Sequence, residues 1–161
     1  KHSKLSEGLI MKKYIFIIIF FSFNILSTEI NEFSFMLKQS TIPNAGIGVF
    51  ATHDIEKDSL IHFFPPNYEF RILHKNKIPA EFIKLCEAIG NNLYRCTQRF
   101  DCIETSWYLN HSNIPNIEMI DITTYKANRD IKKYEEIFID YNQLNEPEED
   151  KEEYYNPKFN N

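Results

Sequence analysis

Hydrophobic positions divide the chain into three stretches of different character. Residues 14–26 form a short, nearly continuous apolar run that follows two lysines and leads into small polar residues. Shorter apolar runs, spaced by polar and turn-forming residues, come next, and a block rich in acidic residues closes the sequence. The pattern predicts a leader at residues 1–28, a folded domain at residues 29–145 and an acidic tail at residues 146–161.

The predicted leader has the parts of a secretory signal peptide, namely a positive start, an apolar run and small polar residues after it. The apolar run of about 13 residues is shorter than the roughly 18 to 20 that a membrane-spanning helix needs, so we expect no stable membrane span. A hydrophobic helix or strand packed on the domain is the alternative. The leader favours a secreted or exported protein; without it, we expect the protein in the cytoplasm.

Within the folded domain, most apolar runs have the length and residue types of β-strands. These runs are Phe33–Leu37, Val49–Ala51, Leu60–Phe64, Leu93–Ile103 and Glu136–Tyr141. One stretch, Pro79–Ile89, instead repeats apolar residues at three- and four-residue spacing, which predicts a short helix. We therefore expect a mainly β fold with one or two short helices.

Composition and charge narrow the function classes. The chain has 161 residues, of which 43% are hydrophobic and 15% aromatic, which fits one folded domain and excludes wholesale disorder. A net charge of -5 argues against direct nucleic-acid binding, because phosphate contact depends on clustered Lys and Arg. Cys86, Cys96 and Cys102 are odd in number and form no Cys-x-x-Cys pair, so we expect neither a disulfide framework nor a metal site.

Three segments carry the candidate chemistry. Residues 40–51 hold Gly46-Ile47-Gly48, whose two glycines let a backbone turn approach a ligand closely. Residues 107–116 run from three apolar residues into Asn110-His111-Ser112, where amide and imidazole groups can hydrogen-bond a ligand. Residues 125–141 end as a strand in Asp140-Tyr141. Taken singly, these patterns also fit a tight turn, a structural histidine and an ordinary edge strand.

In this order and spacing, the three segments resemble the SET-domain lysine methyltransferases. The first looks like the family's Gly-x-Gly-x-Phe-Ala, and the second is similar to its Asn-His-Ser-x-x-Pro-Asn. The third matches the family's last run at Ala127, Arg129, Asp130, Ile131, Glu135, Glu136, Asp140 and Tyr141. The resemblance covers residues 33–144. It implies a β-clip fold of short strands and small sheets, in which the second segment and the C-terminal strand thread into a knot-like arrangement.

The resemblance also implies S-adenosylmethionine as the methyl donor and the side-chain amine of a lysine in a protein substrate, such as a histone, as the acceptor. Carried over by position, Gly46, Ile47 and Gly48 would line the methionine end of the cofactor through backbone atoms. Asn110 and His111 would hold the cofactor near its adenine and amino groups. The oligomeric state is not predicted.

Tyr141 would be the catalytic residue, at the junction of the cofactor pocket and a narrow lysine channel lined by Tyr108 and Ile139. The donor already carries a reactive sulfonium, so the enzyme mainly needs to align a neutral amine with the methyl group. The Tyr141 hydroxyl would orient that amine. Relatives often carry Phe or Tyr at the position of Ile139, which restricts the number of methyl groups added. The smaller residue here predicts room for di- or trimethylation.

The sequence departs from the family at three positions that carry no catalytic group. Tyr134 and Asp58 stand where glycines are usual, which predicts altered turns, and Asn113 replaces a frequent cysteine. The alternative to an enzyme is a non-catalytic SET-like module that binds a peptide or a partner protein. A pocket blocked by Tyr134 or by the acidic tail would favour that alternative.

The zinc-binding cysteines that follow Asp-Tyr in many relatives have no counterpart in residues 142–161. Tyr154, Tyr155 and Phe159 are therefore candidates to close the lysine channel. The acidic block around them is typical of a solvated, mobile tail, and the alternative is a docking surface for a basic substrate.

Overall fold

Residues 33–156 are described by a computed structural model of the protein. The predicted leader, its boundary with the domain and Phe159 lie outside the described residues. Within the described range, no helix is both long enough and apolar enough to cross a membrane.

Short strands dominate the described part of the chain and confirm the prediction of a mainly β fold. The ten strands are β1 (Phe35–Gln39), β2 (Ile47–Ala51), β3 (Leu60–His62), β4 (Arg71–His74), β5 (Glu87–Ala88), β6 (Leu93–Cys96), β7 (Asn110–His111), β8 (Ile117–Met119), β9 (Thr124–Ala127) and β10 (Glu136–Ile139). Within residues 33–156 the helices are few and short: four 3-10 helices, at Lys75–Lys77, Ala80–Leu85, Thr105–Tyr108 and Tyr141–Gln143.

The strands form three small sheets, ordered β1-β2-β10-β7, β3-β9-β8 and β4-β6-β5. In the first sheet, β10 pairs antiparallel with β2 and parallel with β7. The parallel register sets Phe138 opposite Asn110 and Ile139 opposite His111. Strand β10 therefore lies between the first two candidate segments, which is the contact that the implied knot-like threading requires.

Two hydrophobic cores support these sheets. The larger one joins the first two sheets and includes Val49, Ile61, Ile117, Ile137 and Ile139, each at most 5% exposed. The smaller one lies at the third sheet and is made of Ile78, Ala88, Tyr94 and Cys96 with their neighbours. Since β2, β7 and β10 belong to the sheet on the larger core, the residues at their ends are held on a packed base.

The predicted helix at Pro79–Ile89 is wrong in its second half. A 3-10 helix ends at Leu85, and residues 87 and 88 are instead strand β5. Glu87 lies opposite Arg95 on β6 and forms an ion pair with it at 2.5 Å. Pairing with a distant strand therefore overrides the local helical spacing, while the apolar side chains of the stretch still pack on the smaller core.

The acidic stretch is not a mobile tail as far as it is described. Residues 146–156, called the C-terminal segment below, fold back so that Tyr155 and Asn156 are buried. The Asn142 amide donates to the Tyr155 carbonyl at 3.0 Å, and the Tyr155 hydroxyl bonds to Glu146. Aromatic burial and these hydrogen bonds hold the segment on the domain, while most of its acidic side chains stay exposed.

Candidate active site

The loop before β2 presents bare backbone. Residues 40–48, called the glycine loop below, are closed by a hydrogen bond from the Ser40 N–H to the Gly46 carbonyl at 2.9 Å. Gly46 has a φ of +78°, a left-handed conformation that favours glycine, and no atom lies within 4 Å of where its Cβ would stand. The loop therefore offers a cradle of main-chain atoms beside open space, as a ligand that approaches the backbone would need.

Gly48, unlike Gly46, has no space for a side chain. A Cβ on Gly48 would stand 2.0 Å from Oε1 of Glu136 and 3.0 Å from Nδ2 of Asn110. Both neighbours belong to the protein itself, so this glycine allows close packing of the loop on β7 and β10. The predicted role of the two glycines is thus divided, since only Gly46 has an open side.

Asn110 ties the glycine loop to β10. Its Nδ2 donates to the Ile47 carbonyl at 3.1 Å and to Oε1 of Glu136 at 3.0 Å. Because a carbonyl and a carboxylate can only accept, the amide nitrogen must face them, and Oδ1 points the other way. Asn110 therefore keeps one acceptor oxygen that a ligand can use.

The His111 ring is engaged within the protein on both sides. Nδ1 accepts from the Tyr141 backbone N–H at 3.2 Å, so it carries no proton, and Nε2 donates to Oδ1 of Asn113 at 3.0 Å. The Asp140 carboxylate lies 3.6 Å from Nδ1, but an ion pair there would need the proton that the Tyr141 bond excludes. A cofactor contact by His111 would thus come from its backbone, while its ring fixes the backbone of Tyr141.

Tyr141 follows β10 and opens a single 3-10 turn. Its hydroxyl donates to the Leu109 carbonyl at 2.7 Å. Burial, with smaller contributions from Tyr154 and Glu146, holds the pKa of Tyr141 well above its ordinary value. The phenol is therefore protonated at neutral pH, its proton is committed to Leu109, and its oxygen is left as an acceptor.

A cleft of about 700 Å³ opens beside Tyr141. Eight aromatic residues line it, among them Phe64, Phe70 and Trp107, which pack edge to face. Five carboxylates but only two ammonium groups also line it: Glu87, Glu146, Glu149, Asp150 and Glu152 against Lys75 and Lys84. The cleft thus combines apolar walls with a surplus of negative charge.

The C-terminal segment supplies one wall of this cleft. The ring centroids of Tyr154 and Tyr155 lie 6.5 Å and 5.2 Å from that of Tyr141, and 4.9 Å from each other. Two of the three residues named as candidates to close the channel therefore stand beside Tyr141. The contact joins residues that no motif connects.

Of the two residues predicted to line the lysine channel, one lines the cleft and the other does not. Ile139 lines the cleft, together with Leu109. Tyr108 does not; it packs against the larger core, and its neighbour Trp107 lines the cleft instead. Both belong to the 3-10 helix Thr105–Tyr108, in which successive side chains point about 120° apart, so the two rings face different directions.

The two positions that lack the family's glycine keep a glycine-like backbone. Tyr134 and Asp58 have φ values of +70° and +65°, in the left-handed region. Both residues therefore adopt a backbone conformation that a glycine would favour, although each carries a side chain. Tyr134 is 56% exposed and does not line the cleft.

A family model of the SET domain matches residues 46–142, the range that holds Gly46, Asn110, His111 and Tyr141. The chain belongs to the SET-domain family. Members of this family include the lysine methyltransferases that the three segments resemble. No protein of curated function matches this SET-domain chain in sequence.

Solved structures share the fold of this SET domain at low identity. Apo Polycomb Repressive Complex 2 of Chaetomium thermophilum in an autoinhibited state matches with a TM-score of 0.51 and 20% identity, over 71% of this chain and 16% of that chain. A mutated apo form of the complex gives 0.50 and 21%, over 71% and 15%. A candidate histone methyltransferase of Plasmodium falciparum gives 0.42 and 22%, over 67% and 96%. This chain thus spans only a small part of the Polycomb chains, and the likeness concerns the fold.

Proposed function

We propose that this SET-domain chain transfers a methyl group from S-adenosylmethionine to the side-chain amine of a lysine in a protein substrate. The observation that carries the proposal is the state of Tyr141. Its oxygen is an acceptor at the edge of an aromatic cleft, and its backbone is tied through His111 to the motif segment that also holds Asn110. In this proposal the Tyr141 oxygen would lie between the methyl donor and the lysine.

The residues present fit the proposed cofactor. The backbone cradle beside Gly46 leaves room for a ligand, and Asn110 Oδ1 can accept from an amino group. When bound, S-adenosylmethionine supplies a methyl group made electrophilic by the sulfonium. The chain's own part is to hold the cofactor by main-chain atoms and this amide.

The cleft suits both the methylene chain and the terminal amine of a lysine side chain. Aromatic walls pack against methylene groups and favour a cation at their faces. The Tyr141 oxygen would accept a hydrogen bond from the amine and turn its lone pair toward the donor. Alignment of this kind is the main contribution an enzyme can make when the donor is already reactive.

Tyr141 is not the base in this proposal. A free lysine has a pKa of about 10.4, so the amine must lose a proton before it attacks. Burial raises the pKa of Tyr141, and the hydroxyl proton is held by Leu109, so no phenolate forms to take another proton. Burial against the aromatic side chains lowers the pKa of an entering amine, whereas the carboxylates that line the cleft raise it. We infer that the proton leaves to water through the cleft mouth.

The charge of the cleft favours basic substrates. Glu149, Asp150 and Glu152 are exposed at the cleft and would attract a peptide with further Lys or Arg residues beside the target lysine. A cleft blocked by Tyr134 or by the acidic tail would favour the non-catalytic alternative. Tyr134 lies elsewhere, and the C-terminal segment lines the cleft without filling it, so we prefer the enzyme.

Incubation of the full chain with isotope-labelled S-adenosylmethionine, histones and cell lysate tests the proposal. We expect label on lysine, and its loss in Tyr141→Phe with a melting temperature only a few degrees lower, because that variant loses one hydrogen bond to Leu109. No transfer and no cofactor binding would overturn the proposal in favour of a binding module.

A further inference from the structure

Glu136 is a buried carboxylate to which the resemblance assigns no role. It begins β10 and is 2% exposed. Its Oε1 accepts from the Ser40 hydroxyl at 2.7 Å and from Asn110 Nδ2 at 3.0 Å. Its Oε2 accepts from the backbone N–H and the hydroxyl of Thr41, both at 2.6 Å. Each oxygen thus receives two hydrogen bonds, and the donors come from the first and second candidate segments.

The donors around this carboxylate are all neutral. Among residues 33–156, none of the ion pairs includes Glu136. Burial alone would raise the pKa of Glu136, but the hydrogen bonds from Thr41, Asn110 and Ser40 outweigh burial and lower it below its ordinary value. The group is therefore ionised at neutral pH. A buried charge that depends on four neutral donors tolerates little displacement of any of them.

Glu136 also restricts the conformation of the glycine loop by steric contact. Oε1 occupies the space where a Gly48 side chain would begin, and Asn110, held by the same oxygen, bonds the carbonyl of Ile47. The carboxylate thus fixes the glycine loop at its start, through Ser40 and Thr41, and at its end. The residues between these two anchors include Gly46, with its open side.

We propose that Glu136 is a positioning residue that sets the conformation of the glycine loop and the orientation of Asn110 for cofactor binding, without touching the cofactor. This inference rests on the proposed function and adds a residue to it. It assigns Glu136 to the cofactor side alone, because none of its contacts reaches the cleft beside Tyr141.

Glu136→Gln keeps the shape of the side chain but removes the charge and turns one acceptor into a donor that faces other donors. We expect the Kd for S-adenosylmethionine, measured by calorimetry on the full chain, to rise about 10- to 100-fold, as the loss of hydrogen bonds to a charged group would produce. The KM for the cofactor should rise with it, while the KM for a lysine peptide and kcat at saturating cofactor stay within about threefold.

Glu135→Gln is the matched control. The neighbouring carboxylate pairs with Arg129 at 2.5 Å and contacts neither the glycine loop nor the cleft. We expect its Kd for the cofactor to stay within about twofold of the unsubstituted chain, as for a surface ion pair of small net effect. Thr41→Val, which removes a single donor, covers the case in which Glu136→Gln fails to fold. It should weaken cofactor binding in the same direction and by less.

The outcomes separate the two proposals. If the unsubstituted chain does not bind S-adenosylmethionine, the proposed function fails. If it binds but Glu136→Gln and Thr41→Val bind equally well, only the role of Glu136 fails. A parallel loss in cofactor KM, peptide KM and kcat, with a lower melting temperature, would also overturn the positioning role, since it would mark a general structural defect.

Discussion

The two sides of the candidate active site differ in the chemical character of their residues. The side of Gly46 and Asn110 is polar, and its geometry depends on backbone groups, one amide and the Glu136 carboxylate. The side of Tyr141 is aromatic and includes Tyr154 and Tyr155 from the C-terminal segment. A hydrogen-bonded cradle needs particular residue types at particular positions, whereas a ring from any part of the chain can cover an aromatic wall.

This difference explains what family motifs can reveal. Apart from Tyr141, the motif residues of the candidate site lie on the proposed cofactor side, whose geometry must be the same wherever the same cofactor is held. The cleft side is assembled by contacts between distant residues and is free to differ. We therefore expect substitutions on the two sides to separate cofactor binding from lysine binding and catalysis.

The largest effect should come from Tyr141→Phe, which removes the acceptor beside the amine. Loss of one oriented polar group in a dry site lowers kcat by about 100- to 1,000-fold. The Kd for S-adenosylmethionine should change little, because the cofactor cradle is untouched. Label transfer and calorimetry on the same preparation measure both. Tyr134→Phe, on an exposed tyrosine outside the cleft, should behave as the unsubstituted chain; an equal loss there would contradict the assignment.

The two glycines provide the next test, on the polar side. Gly48→Ala places a Cβ 2.0 Å from Glu136 Oε1, so we expect overpacking of about 1 to 3 kcal/mol in the free energy of unfolding. Cofactor affinity should fall about tenfold, because the clash displaces Glu136 and Asn110, which hold the glycine loop. Gly46→Ala meets no atom but keeps a left-handed φ, which costs about 1 to 2 kcal/mol.

Urea unfolding and calorimetry distinguish these two variants. If Gly48→Ala unfolds at the same urea concentration as the unsubstituted chain, the assignment of Gly48 to protein packing is wrong.

Tyr155→Ala tests the aromatic side with a smaller effect. It removes a buried ring 5.2 Å from that of Tyr141, so the KM for a lysine peptide should rise about tenfold. The Kd for the cofactor should remain within about twofold, and Tyr155→Phe, which keeps the ring, should retain most of the peptide affinity. Steady-state kinetics with each substrate varied in turn measure the effects on peptide and on cofactor separately. A loss of cofactor affinity as large as the loss for peptide would remove the distinction between the two sides.

The smallest effect concerns how many methyl groups are added. Ile139 lines the cleft, and Ile139→Phe should shift products toward monomethyl-lysine with little change in the rate of the first transfer. Mass spectrometry of the products reads this directly. If the unsubstituted chain makes monomethyl-lysine alone, the expectation of extra room at Ile139 is wrong.

Local patterns predicted the elements whose stability is local. The strands around Val49, Leu60 and Ile137 follow runs of apolar and β-branched residues, and the structure confirms strands there. The helical spacing at residues 79–89 misled because Glu87 pairs with Arg95 in space. Pairing with a distant strand is not visible in the hydrophobic spacing of the residues that pair.

The candidate site divides in the same way. The glycine loop, Asn110 and Tyr141 were predictable from their motifs. That Trp107 rather than Tyr108 lines the cleft was not predictable, because it depends on the 3-10 turn. The hydrogen bonds of the His111 ring were not predictable either, because they depend on Asn113. The burial of Tyr155 was hidden by the acidic residues around it. A charged residue opening an apolar strand, as Glu136 does, was the one available signal of a buried carboxylate.

Calorimetric titration of S-adenosylmethionine into the full chain tests the central claim most directly. The account predicts saturable binding to one site per chain, weakened in Gly48→Ala and retained in Tyr155→Ala. An absence of binding heat, with no shift in melting temperature at high cofactor concentration, would contradict the account.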